Sequence, residues 1–372
     1  MKVMIVLGTR PEIIRLSRTI KRLKDGMECS VVHTGQNYSH ELSDVFYGDL
    51  DIDPPDYYLD AAGSTLAETL GNIIIKTDQI LEKVRPDALL VLGDTNSALS
   101  VIPAKRRKIP IFHYEAGNRC FDQRVPEEIN RKIVDHTSDV NLTYSSIAKE
   151  NLLREGFPMD RVFNIGSPMR EIVDYYSEKI ERSDVLERLQ LKKHGYFVLS
   201  AHREENVDRK EKLLQLFDSL MAVKERYNLP IVFSIHPRTE LRLEQFGLKL
   251  DDGFVKSKPF NFTDYIALQK NAYCVLSDSG TVTEESSILG FPALNIRETH
   301  ERLEGMEKAA VTMTGFDKER ILSAIAFCER QSDGGKIVVN EVEDYMQKNI
   351  SEKVARIIIS YTDYVNKKVW FK

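Results

Sequence analysis

The sequence predicts an α/β protein built as two doubly wound parallel-sheet domains. Three observations predict it. Short, nearly continuous apolar runs recur along the chain, as strands covered on both faces require. Segments with apolar residues at helical spacing lie between them, the alternation of strand–helix units. A strongly charged stretch over residues 168–195 interrupts the alternation, and 372 residues exceed what one core usually organises.

The first strands are KVMIVL (2–7), CSVVHT (29–34), ALLVLG (88–93), IPIFHY (109–114) and VNLTYS (140–145). The second set is YFVLSA (196–201), PIVFSI (230–235), YCVLSD (273–278) and PALNIR (292–297). Between them, residues 208–227 set Leu213, Leu216, Phe217, Leu220 and Val223 on one helical face. The charged break separates a Rossmann-like domain at 1–167 from a second at 168–355. An amphipathic C-terminal segment begins with ISEKVARIIISYTDYV, and residues 356–372 are expected to pack back onto the first domain.

Hydrophobic residues at 42% and charged residues at 29% describe an ordinary globular chain. A net charge of −5 gives no general attraction for nucleic acid or anionic membrane, so an anionic ligand needs a local cluster of donors. Cys29, Cys120, Cys274 and Cys328 are scattered, the pattern of reduced thiols in a cytoplasmic protein. The opening apolar run stops at Gly8, too short for a signal peptide, and no later stretch reaches the ~20 apolar residues of a membrane span.

The stretch IFHYEAGNRCFDQRVPEEINRKIVDH (111–136) runs from a buried strand into charge. Pro126 suits the first position of a helix, Glu127 and Glu128 suit its first turn, and Glu127/Arg131 and Glu128/Lys132 are i,i+4 pairs. Taken alone, that is a well-made surface helix. However, residues 116–125 form a longer loop than the about 2–6 residues usual between strand and helix. Glu115 also ends its strand at the carboxyl edge, where open α/β sheets bind ligands. Other strands end in the same manner: Gly8, Thr9 and Arg10, then Asp94, His202, His236, and Asp278 with Ser279. Together they predict a cleft between the domains.

SDSGTVTEESSILG (277–290) leads through Ser279 and Gly280 into a helix whose free N–H groups and dipole suit a phosphate, although a capped helix start is the plainer alternative. GTRPE (8–12) opens a second helix with Pro11 in its first turn and Arg10 at the sheet edge, available for a bidentate contact to an anion. The chain has no GxGxxG or GxxxxGK[ST] motif, which argues against NAD and ATP. It has no HExxH and no His/Cys cluster, which argues against a metal. His113, alternating with strand neighbours, fits a satisfied core histidine.

GTRPE (8–12), TGQ (34–36), GDT (93–95), EAGNR (115–119), PEEINR (126–131), HRE (202–204), DSG (278–280), EE (284–285) and ER (301–302) occur in that order. As a set spanning nearly the whole chain, they resemble the non-hydrolysing UDP-N-acetylglucosamine 2-epimerases and their capsule and O-antigen relatives. The resemblance implies a GT-B arrangement with a UDP-sugar between two domains, no cofactor, and a homodimer. It implies C2 acid–base chemistry on Asp94, Glu115 and Glu127, with His202 near the leaving group. It assigns substrate and UDP binding to Arg10, Arg15, His202, Tyr265, Ser279, Gly280, Thr281, Glu285 and Arg302, with Tyr265 near the uracil.

Arg15 stands where the family usually has lysine, Thr281 replaces a second glycine, and GNRC replaces GLRT. TGQNYSHEL (34–42) differs from the pattern that accompanies allosteric UDP-N-acetylglucosamine binding. These variants look closest to the branch that makes UDP-N-acetyl-L-fucosamine from UDP-2-acetamido-2,6-dideoxy-L-talose. Conversion of UDP-N-acetylglucosamine to UDP-N-acetylmannosamine, a hydrolysing epimerase and a GT-B glycosyltransferase remain as alternatives.

Overall fold

The computed structural model describes residues 1–36, 41–250, 253–299, 301–330, 332–333, 336–337 and 339–372. Residues 37–40 of TGQNYSHEL, and with them the expectation about allosteric binding, lie outside the described residues. The chain forms two compact units, Met1–Tyr175 with Glu343–Lys372, and Tyr176–Val342.

The first unit holds β1 (Lys2–Leu7), β2 (Glu28–His33), β3 (Tyr57–Tyr58), β4 (Ala88–Leu92), β5 (Ile111–Ala116), β6 (Val140–Thr143) and β7 (Val162–Asn164). They form one sheet in the order β3-β2-β1-β4-β5-β6-β7, with every pair parallel. Val3–Leu7 are all buried, as expected of a central strand covered on both faces. Met4, Val6, Leu89 and Val91 share a core with Ile73 and Leu81 of the helix Leu66–Val84. The helix Arg10–Gly26 buries Ile13, Leu16, Ile20 and Leu23, and the C-terminal helix Ile350–Lys368 packs against it.

The second unit holds β8 (Phe197–Ser200), β9 (Ile231–Ser234), β10 (Phe254–Ser257), β11 (Cys274–Ser277), β12 (Ala293–Asn295) and β13 (Thr312–Met313). Their order is β10-β9-β8-β11-β12-β13, again all parallel. Leu213, Leu216, Leu220 and Val223 of the helix Lys210–Tyr227 pack on Phe197, Leu199, Ile231 and Phe233. Each sheet therefore has a switch point where its strand order reverses, between β1 and β4 in the first unit and between β8 and β11 in the second.

The first unit is longer at both seams than the sequence boundaries of 167/168 and 355/356. It runs on through the helix Met169–Tyr175, where Glu171 accepts a hydrogen bond from Ser351 N at 2.9 Å. It resumes at Glu343, because Asp344 accepts from Ser146 N at 3.0 Å and from Asn164 Nδ2 at 2.8 Å. Among the described residues, no helix is long and apolar enough to cross a membrane.

Candidate active site

At the first switch point, Gly8 and Thr9 lead from β1 into the helix Arg10–Gly26, which has proline in its first turn. Glu12 folds back on this turn. Its Oε2 accepts from Gly8 N at 3.0 Å and from Thr9 Oγ1 at 2.7 Å, while Oε1 accepts from Thr95 Oγ1 at 3.1 Å. One buried carboxylate thus joins the turn after β1 to the turn after β4. Burial pushes its carboxyl up to about 7, against the opposing hydrogen bonds. Arg10 stands over the Phe46 ring at 5.8 Å, and burial lowers the pKa of its guanidinium.

Glu115 lies in β5, next to a register shift between Tyr114 and Ala116, with φ at 70°. A side chain in the left-handed region costs about 1–2 kcal/mol, and a bulge re-aims the residue that carries it. Arg15 Nη1 lies 3.2 Å from Glu115 Oε2, and Asn118 Nδ2 lies 3.4 Å from Oε1. The Arg15 guanidinium also stacks over Tyr144 at 5.4 Å.

Two residues earlier, buried His113 bonds Asp135 through Nδ1 at 2.8 Å and the Gly93 carbonyl through Nε2 at 2.8 Å. It is a satisfied core histidine, and it ties β5 to the turn carrying Asp94. Arg119 Nη1 reaches Asp135 Oδ2 at 2.7 Å, and Arg119 forks onto Glu155 at 2.8 and 2.7 Å. Burial pushes the Asp135 carboxyl up, but the bond and charge of His113, then Arg119, outweigh it and hold the group below its usual range.

The long loop after Glu115 ends in the helix Pro126–Thr137, with proline in its first turn as the sequence indicated. Glu127 is half-buried on that first turn. Glu128 is fully buried and accepts from Cys120 N at 3.1 Å and Phe121 N at 3.2 Å. Arg131 binds Asp94 Oδ2 through Nε at 3.0 Å and Nη2 at 2.6 Å. Of the sequence-selected residues, Arg10, Arg15, Asp94, Glu115 and Glu127 therefore belong to the first unit.

The others belong to the second unit. At its switch point, Asp278 is buried and accepts from His202 N, Arg203 N and Asn206 Nδ2 at 2.9–3.1 Å, with His202 Nδ1 3.0 Å away. Burial raises the Asp278 carboxyl, but the charge and hydrogen bond of His202, with the other donors, hold it well below the carboxylate range. Gly280 is the N-cap of the helix Thr281–Leu289 and has no capping side chain. Ser279 Oγ accepts from Thr281 N at 3.3 Å and lies 3.0 Å from Thr281 Oγ1.

Tyr265 hydrogen-bonds Ser200 and Gln269; burial, then the charge of Glu285, raises the pKa of its phenol. Gln269 Nε2 donates to Glu285 Oε2 at 2.6 Å. Arg302 pairs with the neighbouring Glu284 at 3.1 Å. Among the described residues, no group of three or more His, Cys, Asp or Glu is arranged to hold a metal ion.

Sequence reasoning missed Glu12, Glu128, Arg131 and Glu284 as parts of these clusters. All four lie inside quoted motifs. Each, however, also has a partner outside its own motif, as with Arg131 and Asp94, 37 residues apart.

A family model for UDP-N-acetylglucosamine 2-epimerase matches residues 19–359. The chain belongs to that family. By class it is an isomerase that epimerises C2 of a UDP-sugar. The structure of UDP-N-acetylglucosamine 2-epimerase from Rickettsia bellii superposes with a TM-score of 0.93, at 50% identity and 100% coverage of both chains. The Methanocaldococcus jannaschii UDP-GlcNAc 2-epimerase in complex with UDP-GlcNAc and UDP gives 0.87, at 34% identity over 97% of this chain and 100% of that one. A UDP-2,3-diacetamido-2,3-dideoxy-D-glucuronate 2-epimerase from Pseudomonas aeruginosa is 30% identical over 96% of this chain and 99% of its own. The two parallel-sheet units follow the GT-B-like pattern of these epimerases.

Proposed function

We propose that this epimerase converts UDP-2-acetamido-2,6-dideoxy-L-talose to UDP-N-acetyl-L-fucosamine without hydrolysis, as a cytoplasmic homodimer supplying capsule or O-antigen synthesis. The substitutions Arg15, Thr281 and GNRC support the branch. The observation that carries the chemistry is Glu115, a carboxylate held on a strained bulge at the carboxyl edge of its sheet.

The C2 hydrogen of a 2-acetamido sugar has no adjacent carbonyl, so removing it alone is costly. In the proposed reaction, a base takes this proton while the C1–O bond to UDP breaks, leaving a glycal and UDP. Protonation of C2 on the other face and return of UDP to C1 then complete the inversion. Asp94, Glu115 and Glu127 serve as the proton-transfer carboxylates. His202, oriented through Nδ1 by Asp278, stabilises the leaving diphosphate. Arg10, Arg15, Ser279, Gly280, Thr281, Glu285 and Arg302 hold the UDP-sugar, with Tyr265 against the uracil.

A second reading, epimerisation of UDP-N-acetylglucosamine to UDP-N-acetylmannosamine, is favoured by the 50% identity to the Rickettsia enzyme. Incubation in D2O with each sugar nucleotide, followed at C2 by proton NMR, separates the two. Deuterium at C2 of an intact UDP-sugar epimer is expected, faster with the L-talo substrate. Faster exchange of UDP-N-acetylglucosamine would move the assignment to the second reading. Free UDP with free sugar would indicate hydrolysis, and no exchange with either would move the assignment to another UDP-2-acetamido sugar.

A further inference from the structure

The carboxylate of Asp94 is held unequally. Both Arg131 bonds fall on Oδ2, at 3.0 and 2.6 Å, and Oδ1 takes no bond from the described residues. The Asp94 side chain is 26% exposed and that of Arg131 only 3%. The third guanidinium nitrogen, Nη1, donates to buried Glu128 Oε2 at 2.9 Å. Asn130 Nδ2 grips the Asp94 backbone, donating to its carbonyl at 2.9 Å and to Asn96 Oδ1 at 3.1 Å. All three gripping residues lie on the helix Pro126–Thr137, whose first turn carries Glu127. A fork shared between two carboxylates is a geometry that guanidinium supplies and a single ammonium does not.

We infer that Arg131 is a positioning residue for proton transfer: with Glu128 behind it, it fixes Asp94 so that Oδ1 is the oxygen presented to the substrate. The helix then sets Asp94 and Glu127 at a fixed separation, as two carboxylates serving one carbon require. This rests on the reading of Asp94 as a proton-transfer group.

The test is a mutant cycle of wild type, R131K, D94N and the double variant, read as C2 deuterium exchange in D2O, with UDP affinity by calorimetry. R131K should lower kcat by roughly tenfold to a hundredfold, the cost of misplacing a reacting group, while KM and UDP affinity stay within about twofold. In the D94N background, the same change should cost less than about twofold, because there is no carboxylate left to aim. Normal kcat in R131K, or an equal loss in both backgrounds, would overturn the inference and leave the role of Asp94 standing. Wild-type exchange in D94N would overturn the reading of Asp94 and this inference with it. If R131K binds UDP poorly, E128Q replaces it in the same cycle, with the same expected non-additivity and the same refuting result.

Discussion

Glu12→Gln should flatten the pH dependence of stability in the first unit. On folding, the Glu12 carboxyl moves from an ordinary 4.5 to about 7, driven by burial. Each pKa unit is worth about 1.4 kcal/mol, so the ionised side chain costs the folded unit roughly 3 kcal/mol at pH 8. The folded state binds this proton more tightly than the unfolded state. Stability therefore falls as pH rises from about 4.5 through 7, and levels off above.

Glutamine stays neutral throughout. Its oxygen can accept from Gly8 N and Thr9, and its amide can donate to the Thr95 hydroxyl. At pH 5, the variant should match wild type or lose about 0.5–1.5 kcal/mol through weaker hydrogen bonding. Between pH 5 and 8, it should gain roughly 2–3 kcal/mol on wild type. Urea unfolding can be followed at Trp370, the single tryptophan, which lies in the first unit 5.2 Å from Lys105 Nζ. A difference between the two proteins that stays constant from pH 5 to 8 would refute the argument.

Gly8→Ala would place a Cβ 2.1 Å from Thr34 Oγ1 and 2.2 Å from Ser97 Oγ, which bond each other at 2.7 Å. A loss of about 1–3 kcal/mol is expected in the same unfolding assay. Asp94→Asn and Glu115→Gln should each reduce C2 exchange by roughly 10²–10⁴, and near-normal turnover in either would remove that residue from proton transfer. Asp135→Asn removes one of the two carboxylates on buried Arg119, leaving Glu155, and weakens the bond to His113, so it should cost about 1–3 kcal/mol at neutral pH. Because the Asp135 pKa is lowered on folding, its contribution is present above about 3.8 and fades on acidification. The gap between wild type and Asp135→Asn in urea midpoints should therefore narrow below that pH.

Which elements were legible follows from where they lie. The apolar runs marked the interior strands of both sheets, β1, β2, β4, β5 and β6, then β8, β9, β11 and β12. Within those two sheets, the strands left unmarked among the described residues, β3, β7, β10 and β13, are the edges. With a neighbour on one side only, an edge strand can be short and mixed in composition, and two of these have two residues. The strand ends carrying Asp94, Glu115 and Asp278 were legible for another reason: polar groups recurring at the carboxyl ends of several buried strands mark the edge where open α/β sheets bind ligands. The pairings were not. Nothing local says that Glu12 answers Thr95 across 83 residues, or that Arg302 meets Glu284 when Glu285 stands beside it.

The second unit is an insertion within the first, whose chain closes only with Glu343–Lys372. A ribosome therefore delivers the second unit whole before the first can be completed. Until then, the surface of the helix Arg10–Gly26 that will receive Ile350–Lys368 waits uncovered. The inserted unit, contiguous in the chain, can reach its final core while the older half is still unfinished. Released chains ending at residue 342 should hold a protease-resistant second unit beside a susceptible first one.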